Sequence, residues 1–169
     1  QLNFKIKIRV LIYVGTGFLG SYISKFLSAQ HHEVIYGKAR CENYDAIRDE
    51  IQLHEPTHLF SAIGRSHGKN VYSVQELEQN LYKNINDNMF SILVLMKVCS
   101  DEHIHFTNIL DGSNFHSSKE EKDEIYEEDE PNLVCTEHAI IKTYTEKLLK
   151  LFSDSNCLLL RLKYPITGD

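Results

Sequence analysis

A glycine turn ends the first apolar run of this chain, and it constrains the fold more than any other segment. The run from Arg9 to Val14 stops at Gly15, and an amphipathic segment begins after Gly17. Glycines spaced in this way allow a tight turn, a close approach of backbone N–H groups to a pyrophosphate and close helix–sheet packing. The helix N-terminus adds unpaired donors and a positive dipole end. The predicted phosphate contacts are Gly15, Thr16, Gly17, Phe18, Leu19 and Gly20.

The rest of the chain alternates between apolar strands and amphipathic helices. Strands are predicted at 6–14, 33–37, 57–63, 105–110 and 157–162, and helices at 17–30, 43–53, 74–100 and 135–152. Parallel strands separated by helices form a doubly wound α/β sheet with both faces covered. We expect one domain over 1–169, with an acidic loop at 117–131. Because ligands bind at the carboxyl ends of such strands, the site is expected in the loops 14–20, 64–73 and 111–115.

Composition argues against several classes of partner. The 169 residues carry a net charge of −6 without a Lys/Arg-rich segment, so nucleic acid is not expected. No apolar run approaches the roughly 20 residues that cross a bilayer, so no membrane partner is expected. The 4 cysteines are far apart, which is typical of reduced thiols in a cytoplasmic protein. The 9 histidines lack metal-ligand spacing, so no metal site is predicted.

The end of the second strand bears on the choice of cofactor. An NAD(H) site places an Asp or Glu about 20 residues past the glycines, on the ribose hydroxyls. Here the strand is followed by Gly37-Lys38-Ala39-Arg40. Arginine binds a 2′-phosphate bidentately and lysine adds a point charge. We therefore expect NADP(H), contacted by Arg40 and Lys38, with NAD(H) and a pair of solvated cations as the alternatives.

With these segments placed, the sequence resembles the extended short-chain dehydrogenase/reductases. The nearest branch is that of the nucleotide-rhamnose synthases and the dTDP-4-dehydrorhamnose reductase-like epimerase/reductases, and the resemblance covers nearly the whole chain. The matching residues are Leu11-Ile12-Tyr13 with Gly15-Thr16-Gly17, Tyr36-Gly37 with Arg40, Glu42 and Asn43, Pro56-Thr57-His58, Ala62 with Gly64, Asn70-Val71, Glu127-Glu128-Asp129 with Pro131-Asn132, the run 146–149, and Arg161 with Pro165-Ile166.

The resemblance implies a Rossmann fold that binds NADP(H) or NAD(H), with Ala62 and Gly64 in the cofactor site and Asn70 in the substrate site. It implies a UDP- or dTDP-4-keto-6-deoxy sugar as the substrate. A C-terminal portion completes the sugar site in this family, and the chain ends about where that portion would develop. The resemblance also implies a homodimer or a partner chain. Apolar residues of the last long helix are assigned mainly to the core, with a subunit contact as the alternative: Ile140, Ile141, Tyr144, Leu148 and Leu149.

The chain departs from the family's glycine pattern, G-x-x-G-x-x-G. Val14 stands in the first position, and Gly17 and Gly20 fill the other two. A β-branched residue is costly where a turn needs a positive φ. We therefore expect Gly15 to adopt the turn conformation instead of Val14.

A second departure falls on the reacting centre. Family members use a Tyr-x-x-x-Lys pair, in which the tyrosine donates a proton to the keto oxygen and the lysine lowers the tyrosine pKa and holds the ribose. A four-residue spacing puts both side chains on one helix face. Here Lys142 takes the lysine position, and His138 takes the tyrosine position. Asp111 stands where a Ser or Thr binds the keto oxygen, and its charge opposes a developing alkoxide.

Three functional hypotheses follow. The first is a dinucleotide-binding domain that has lost the parent catalysis and acts as a structural, regulatory or interaction module. The alternative is an active NADPH-dependent nucleotide-sugar reductase or epimerase/reductase, in which His138 replaces the tyrosine because imidazole is a competent acid near neutral pH. The third is a half-length fragment that needs a further portion or a partner chain.

Overall fold

The computed structural model describes residues 7–64, 76, 78–112, 115, 130–153 and 156–162. Most of the acidic loop predicted at 117–131 lies outside these residues. The described elements in chain order are β1 (Arg9–Tyr13), α1 (Phe18–Ala29), β2 (Glu33–Tyr36), α2 (Tyr44–His54), β3 (His58–Ser61), α3 (Leu81–Ile85), a π-helical turn (Asn86–Phe90), α4 (Ser91–Asp101), β4 (His105–Asp111), α5 (Glu137–Phe152) and β5 (Cys157–Leu162).

The strands form one five-stranded sheet in the order β2-β1-β3-β4-β5. Every pair is parallel, with Leu11 of β1 between Ile35 of β2 and Leu59 of β3. Strand β2 lies on one side of β1, and β3, β4 and β5 lie on the other. The direction in which successive strands are added to the sheet therefore reverses between β1 and β3. A ligand crevice forms outside the strand ends at such a reversal. The predicted doubly wound α/β fold is confirmed.

Successive side chains of each strand point to opposite faces of the sheet, so the hydrophobic core has one part on each face. On one face, Leu11 packs with a large cluster that includes residues of α2, α4 and α5. On the other face, Val10, Ile12 and Phe60 form a smaller cluster, against which Ile23 and Leu27 of α1 pack. The larger cluster contains Leu11, Tyr13, Ile47, Ile51, Leu59, Ile63, Ile92, Leu95, Met96, Val98, Cys99, Ile104, Phe106, Leu110 and Leu149.

Helix α1 does not bury all the apolar residues that its sequence places on one face. Phe18, Tyr22 and Phe26 lie four residues apart and are 59%, 38% and 62% exposed. Residues at this spacing lie along one side of a helix. The exposed aromatic stripe therefore runs beside Ile23 and Leu27, which are partly buried and pack on the smaller sheet cluster.

The helix predicted at 74–100 is interrupted where α3 meets α4. The π-helical turn at Asn86–Phe90 carries the buried side chain of Asn88. Turns of this kind displace the usual helical hydrogen bonds. The Thr145 hydroxyl of α5 lies 3.0 Å from the Asn88 carbonyl oxygen and 2.7 Å from that of Ile141, so its single hydrogen serves these two acceptors inside the core.

Helix α5 begins after Thr136, whose side chain accepts a hydrogen bond from the Ala139 N–H. Ile141 and Leu149 are buried, as predicted. The core assignment is wrong for Ile140 and Tyr144, which are 38% and 51% exposed. They lie on the side of α5 that its described neighbours do not cover.

An ion pair joins α5 to β5. Glu146 is fully buried, and its Oε1 accepts hydrogen bonds from Arg161 Nε at 2.9 Å and Nη2 at 2.6 Å. Lys150 Nζ lies 3.7 Å from the same oxygen. The other face of β5 stays open, and three alternating leucines are partly exposed there: Leu158, Leu160 and Leu162.

None of the described helices has both the length and the apolar character of a membrane span. Cys41, Cys99, Cys135 and Cys157 are all free thiols.

Candidate functional site

A cavity of about 520 Å³ opens at the carboxyl ends of β1, β2 and β3. It lies at the chain reversal between β1 and β3, where a doubly wound sheet binds its ligand. Of the residues predicted from sequence, Lys38, Arg40 and Gly64 line it. The remaining wall comes from Tyr13, Val14, Gly37, Ala39, Cys41, Glu42, Ile63, Asp87 and Ser91.

The turn after β1 is built around Val14 rather than Gly15. Val14 has a φ of 59°, in the left-handed region that favours glycine. Its carbonyl oxygen accepts a hydrogen bond from the Gly17 N–H at 3.1 Å, which closes the turn. The expectation that Gly15 would adopt the turn conformation is therefore wrong. The Val14 side chain is about half exposed in this conformation.

Gly15 and Gly20 are required by close contacts. A Cβ at Gly15 would lie 2.5 Å from the Tyr36 ring at the end of β2. A Cβ at Gly20 would lie 2.7 Å from the Gly15 Cα and would collide with the Val14 carbonyl oxygen. Gly20 thus lets α1 pack directly on the turn, as the spacing predicted.

Helix α1 presents free donors at its first turn. Gly17 is the N-cap and offers no side chain to accept from the helix, and the first turn contains no acidic residue. Among the described residues, no hydrogen bond occupies the N–H groups of Phe18 or Leu19. Such a helix start suits an anion. Thr16 is exposed beside it.

Glu50 of α2 fixes the loop after β2, and the sequence analysis missed it. Its carboxylate accepts hydrogen bonds from the Tyr13 hydroxyl at 2.6 Å, the Lys38 N–H at 2.8 Å and the Ala39 N–H at 3.2 Å. Burial and the Glu50 carboxylate raise the pKa of Tyr13, so its hydroxyl stays protonated as a donor. Nothing in the helical pattern of α2 signals this role, because the partners lie 37, 12 and 11 residues away in sequence.

The loop held by Glu50 carries the two predicted cations. Arg40 has a side chain that is 87% exposed, and its Nε lies 3.7 Å from a Glu42 oxygen. Lys38 is also exposed. Burial raises the pKa of the neighbouring Cys41 thiol to about 12, so this cysteine is a neutral part of the wall. The loop therefore offers exposed cationic side chains on a backbone held by Glu50.

Lys142 of α5 lies close to one residue of the cavity wall, Gly64, although it is not itself part of the wall. Its Nζ lies 3.1 Å from the position of a Cβ added at Gly64, the cavity residue after β3. Burial lowers the pKa of Lys142, and the Asp111 carboxylate at the end of β4 opposes that shift. Ala62 lies two residues before Gly64, where its N–H donates to the Tyr13 carbonyl oxygen at 3.2 Å.

His138 lies one helical turn before Lys142 and is half-buried. Its Nδ1 is 3.2 Å from Asn84 Oδ1, which also accepts from Asn88 Nδ2 at 2.9 Å. Burial and the Lys142 ammonium lower the pKa of His138 below 6.5, whereas Asp111 and Glu78 raise it. The charges of Lys142 and Asp111 thus both act on His138, and that of Asp111 also acts on Lys142.

Some predicted residues cannot be placed. Asn70 and most of the loop 64–73 lie outside the described residues, as do residues 113 and 114 of the loop after β4. Within the described part, no three His, Cys, Asp or Glu side chains are grouped as metal ligands.

Comparison with known proteins identifies relatives of this chain, although no family model matches it. The protein L780 of Acanthamoeba polyphaga mimivirus is 33% identical over 164 residues, which are 93% of this chain and 56% of L780. The crystal structure of the L780 UDP-rhamnose synthase superposes with a TM-score of 0.87 at 31% identity, over 95% of this chain and 57% of that one. The chain therefore spans about half the length of this relative.

A plant enzyme matches over a smaller share of its length. Arabidopsis thaliana RHM1, a trifunctional UDP-glucose 4,6-dehydratase/UDP-4-keto-6-deoxy-D-glucose 3,5-epimerase/UDP-4-keto-L-rhamnose-reductase, is 29% identical over 98% of this chain and 24% of its own. The dTDP-4-dehydrorhamnose reductase of Bacillus anthracis, solved in complex with NADP, shares the fold with a TM-score of 0.76 at 15% identity, over 97% of this chain and 57% of that one.

Proposed function

We propose that this chain, a homologue of UDP-rhamnose synthase and dTDP-4-dehydrorhamnose reductase within the short-chain dehydrogenase/reductases, binds NADP(H) and has lost the proton donor of the parent reaction. In this reading it serves as a structural, regulatory or interaction module. The observation that carries the proposal is the cavity at the chain reversal, bounded by Val14, the loop 37–42 and Gly64.

The residues present suit a dinucleotide. The turn at Val14 and the close packing of Gly20 leave the Phe18 and Leu19 N–H groups free for a pyrophosphate. The cavity of about 520 Å³ lies in the volume range of small-ligand sites. Lys142 Nζ, beside Gly64, would hold a ribose hydroxyl. When bound, the nicotinamide would supply or accept a hydride.

The loop after β2 supports a preference for NADP(H) over NAD(H). A ribose 2′-hydroxyl is bound by a free carboxylate, whereas a 2′-phosphate is bound by cations. The nearby carboxylate of Glu50 already accepts three hydrogen bonds. Lys38 and Arg40 remain available to a phosphate.

His138 is a poor replacement for the missing tyrosine. An acid that donates to a keto oxygen must be protonated at the working pH. Burial and Lys142 lower the His138 pKa, so the ring is mainly neutral at pH 7. The Asp111 carboxylate at the same centre opposes a developing alkoxide.

The alternative is an active NADPH-dependent nucleotide-sugar reductase or epimerase/reductase acting on a UDP- or dTDP-4-keto-6-deoxy sugar. One observation favours it, since Lys142 Nζ lies 3.1 Å from the position of a Cβ added at Gly64, a residue of the cavity wall. In this reading the Asp111 carboxylate, which raises the His138 pKa, would sustain a fraction of protonated imidazole as the acid.

The cofactor assignment is tested by calorimetric titration of NADPH and NADH. We expect NADPH to bind the wild type more tightly, and Arg40→Ala to weaken NADPH by about tenfold or more with little effect on NADH. Arg48→Ala is the matched control, because Arg48 pairs with Asp45 on α2. Equal affinities for the two cofactors in the wild type would refute the preference.

The loss of catalysis is tested by turnover of UDP-4-keto-6-deoxy-glucose with NADPH. Binding without turnover supports the proposal. Turnover that His138→Ala abolishes would establish the alternative. The double variant His138→Tyr with Asp111→Thr should gain reductase activity if the sugar site is intact.

A further inference from the structure

Three polar side chains form a hydrogen-bonded chain between α3, the π-helical turn and α5. Asn88 Nδ2 donates to Asn84 Oδ1 at 2.9 Å, and the same oxygen lies 3.2 Å from His138 Nδ1. Both asparagines are fully buried. Asn84 Nδ2 has no hydrogen-bond partner among the described residues. The side chain of Asn84 therefore acts through its oxygen.

Amide chemistry determines which atoms donate and which accept in this series of hydrogen bonds. An amide oxygen only accepts hydrogen bonds. Because Asn84 Oδ1 faces His138 Nδ1, the hydrogen between them must be on Nδ1. Turning the Asn84 amide alone would set its Nδ2 against Asn88 Nδ2, two donors 2.9 Å apart. With Asn88 Nδ2 directed at Asn84, the oxygen is therefore the Asn84 atom that His138 meets.

We propose that Asn84 is a positioning residue that holds neutral His138 with its proton on Nδ1 and leaves Nε2 as a hydrogen-bond acceptor. A neutral imidazole has one donor and one acceptor nitrogen. The proposal deepens the proposed function, because it rests on His138 taking the position of the missing proton donor. A nitrogen that accepts suits a ligand hydroxyl, whereas the family's tyrosine O–H suits a carbonyl oxygen.

The charged groups around His138 agree with a neutral ring. Lys142, one turn away on α5, lowers the His138 pKa together with burial. Asp111 at the end of β4 and Glu78 before α3 raise it without reversing the shift. The tautomer is therefore the property that decides what His138 offers to a ligand near neutral pH.

The test is the two-bond proton–nitrogen NMR spectrum of the ¹⁵N-labelled chain near neutral pH. We expect a pyridine-type signal for His138 Nε2 and a pyrrole-type signal for Nδ1, assigned by their loss in His138→Gln. A neutral ring with its proton on Nε2 would overturn the proposal, because Nε2 would then be a donor and not an acceptor.

Two variants separate positioning from general stability. Asn84→Asp keeps an acceptor, so we expect the same tautomer and a His138 pKa raised by about one unit or more. Asn84→Ala removes the acceptor, so we expect the Nε2–H tautomer to become populated. Asn86→Ala is the control, because the Asn86 amide contacts Asp87 instead. If Asn84→Ala does not fold, the Asp variant and the wild-type spectrum decide the outcome.

The spectra are recorded without a dinucleotide, so they are independent of the proposed cofactor binding. A chain that fails to bind NADPH but shows the Nδ1–H tautomer refutes the proposed function alone. A chain that binds NADPH but shows protonated Nε2 refutes only the role of Asn84.

Discussion

Val14 shows how one residue can take a conformation that its chemistry disfavours. Its φ of 59° lies where an L residue costs roughly 1–2 kcal/mol, and β-branching adds to the cost. The same turn carries the close packing of α1, since Gly20 lies where a Cβ would collide with the Val14 carbonyl oxygen. The family's glycine would carry no such cost.

Replacing Val14 by glycine should therefore stabilise the chain. We expect Val14→Gly to raise the free energy of unfolding by roughly 0.5–1 kcal/mol, since part of the relieved strain is offset by the freedom of glycine in the unfolded chain. Urea unfolding measures the change. Val14→Ala keeps a Cβ and should show no comparable gain, so equal stability of the two variants would contradict the strain at this position.

At the scale of single elements, the loop after β2 depends on one carboxylate of α2. Removing it in Glu50→Ala should cost about 2 kcal/mol, because three donors lose a charged acceptor. Asp49→Ala, exposed on the same helix, is the control and should change stability little. An unfolding free energy equal in the two variants would show that the loop holds its position without Glu50.

The starts of β3 and β4 bring two histidines together. His58 and His105 are paired in register, with ring centroids 4.9 Å apart. The pKa of His58 is lowered mainly by burial, and further by the electrostatic effect of His105 and then of His32. His58 is therefore protonated at a lower pH in the folded chain than in the unfolded chain.

Stability should fall as the pH drops below 6.5, the ordinary pKa of histidine, toward the lower pKa of folded His58. Because a single group is titrated, the free energy of unfolding changes by at most about 1.4 kcal/mol per pH unit. Urea unfolding at several pH values should show a shallower dependence for His58→Gln than for the wild type, and an unchanged one for exposed His31→Asn. The lowered pKa of His138 acts in the same direction and accounts for part of the slope that remains.

At the scale of the whole molecule, Glu146 links the last helix to the last strand. Its carboxylate is fully buried and accepts two hydrogen bonds from Arg161, and Glu146→Ala removes both of these bonds. We expect a loss of about 3–5 kcal/mol. Thermal unfolding followed by circular dichroism measures it, with exposed Glu137→Gln as the control. A loss below about 1 kcal/mol would mean that solvent replaces the pair.

The architecture was largely predictable because strand and helix periods are local signals. The prediction for β5 matches its observed bounds, Cys157–Leu162. Burial was harder to predict, because the period of α5 does not tell whether a neighbour covers Ile140 or Tyr144. The predicted homodimer remains a prediction.

The site was predictable only where contacts are near in sequence. The glycine turn after β1 and the two cations after β2 follow from short motifs. The contact of Asn84 with His138 spans 54 residues, and that of Tyr13 with Glu50 spans 37. Such contacts depend on how whole helices pack, which no local pattern encodes.

The backbone anchored by Glu50 has a kinetic consequence. The Lys38 and Ala39 N–H groups of the cavity wall are already hydrogen-bonded to Glu50 in the folded chain. The loop therefore needs no rearrangement to bind the proposed dinucleotide. Stopped-flow association should then be a single phase, linear in ligand concentration, without a plateau from slow isomerisation.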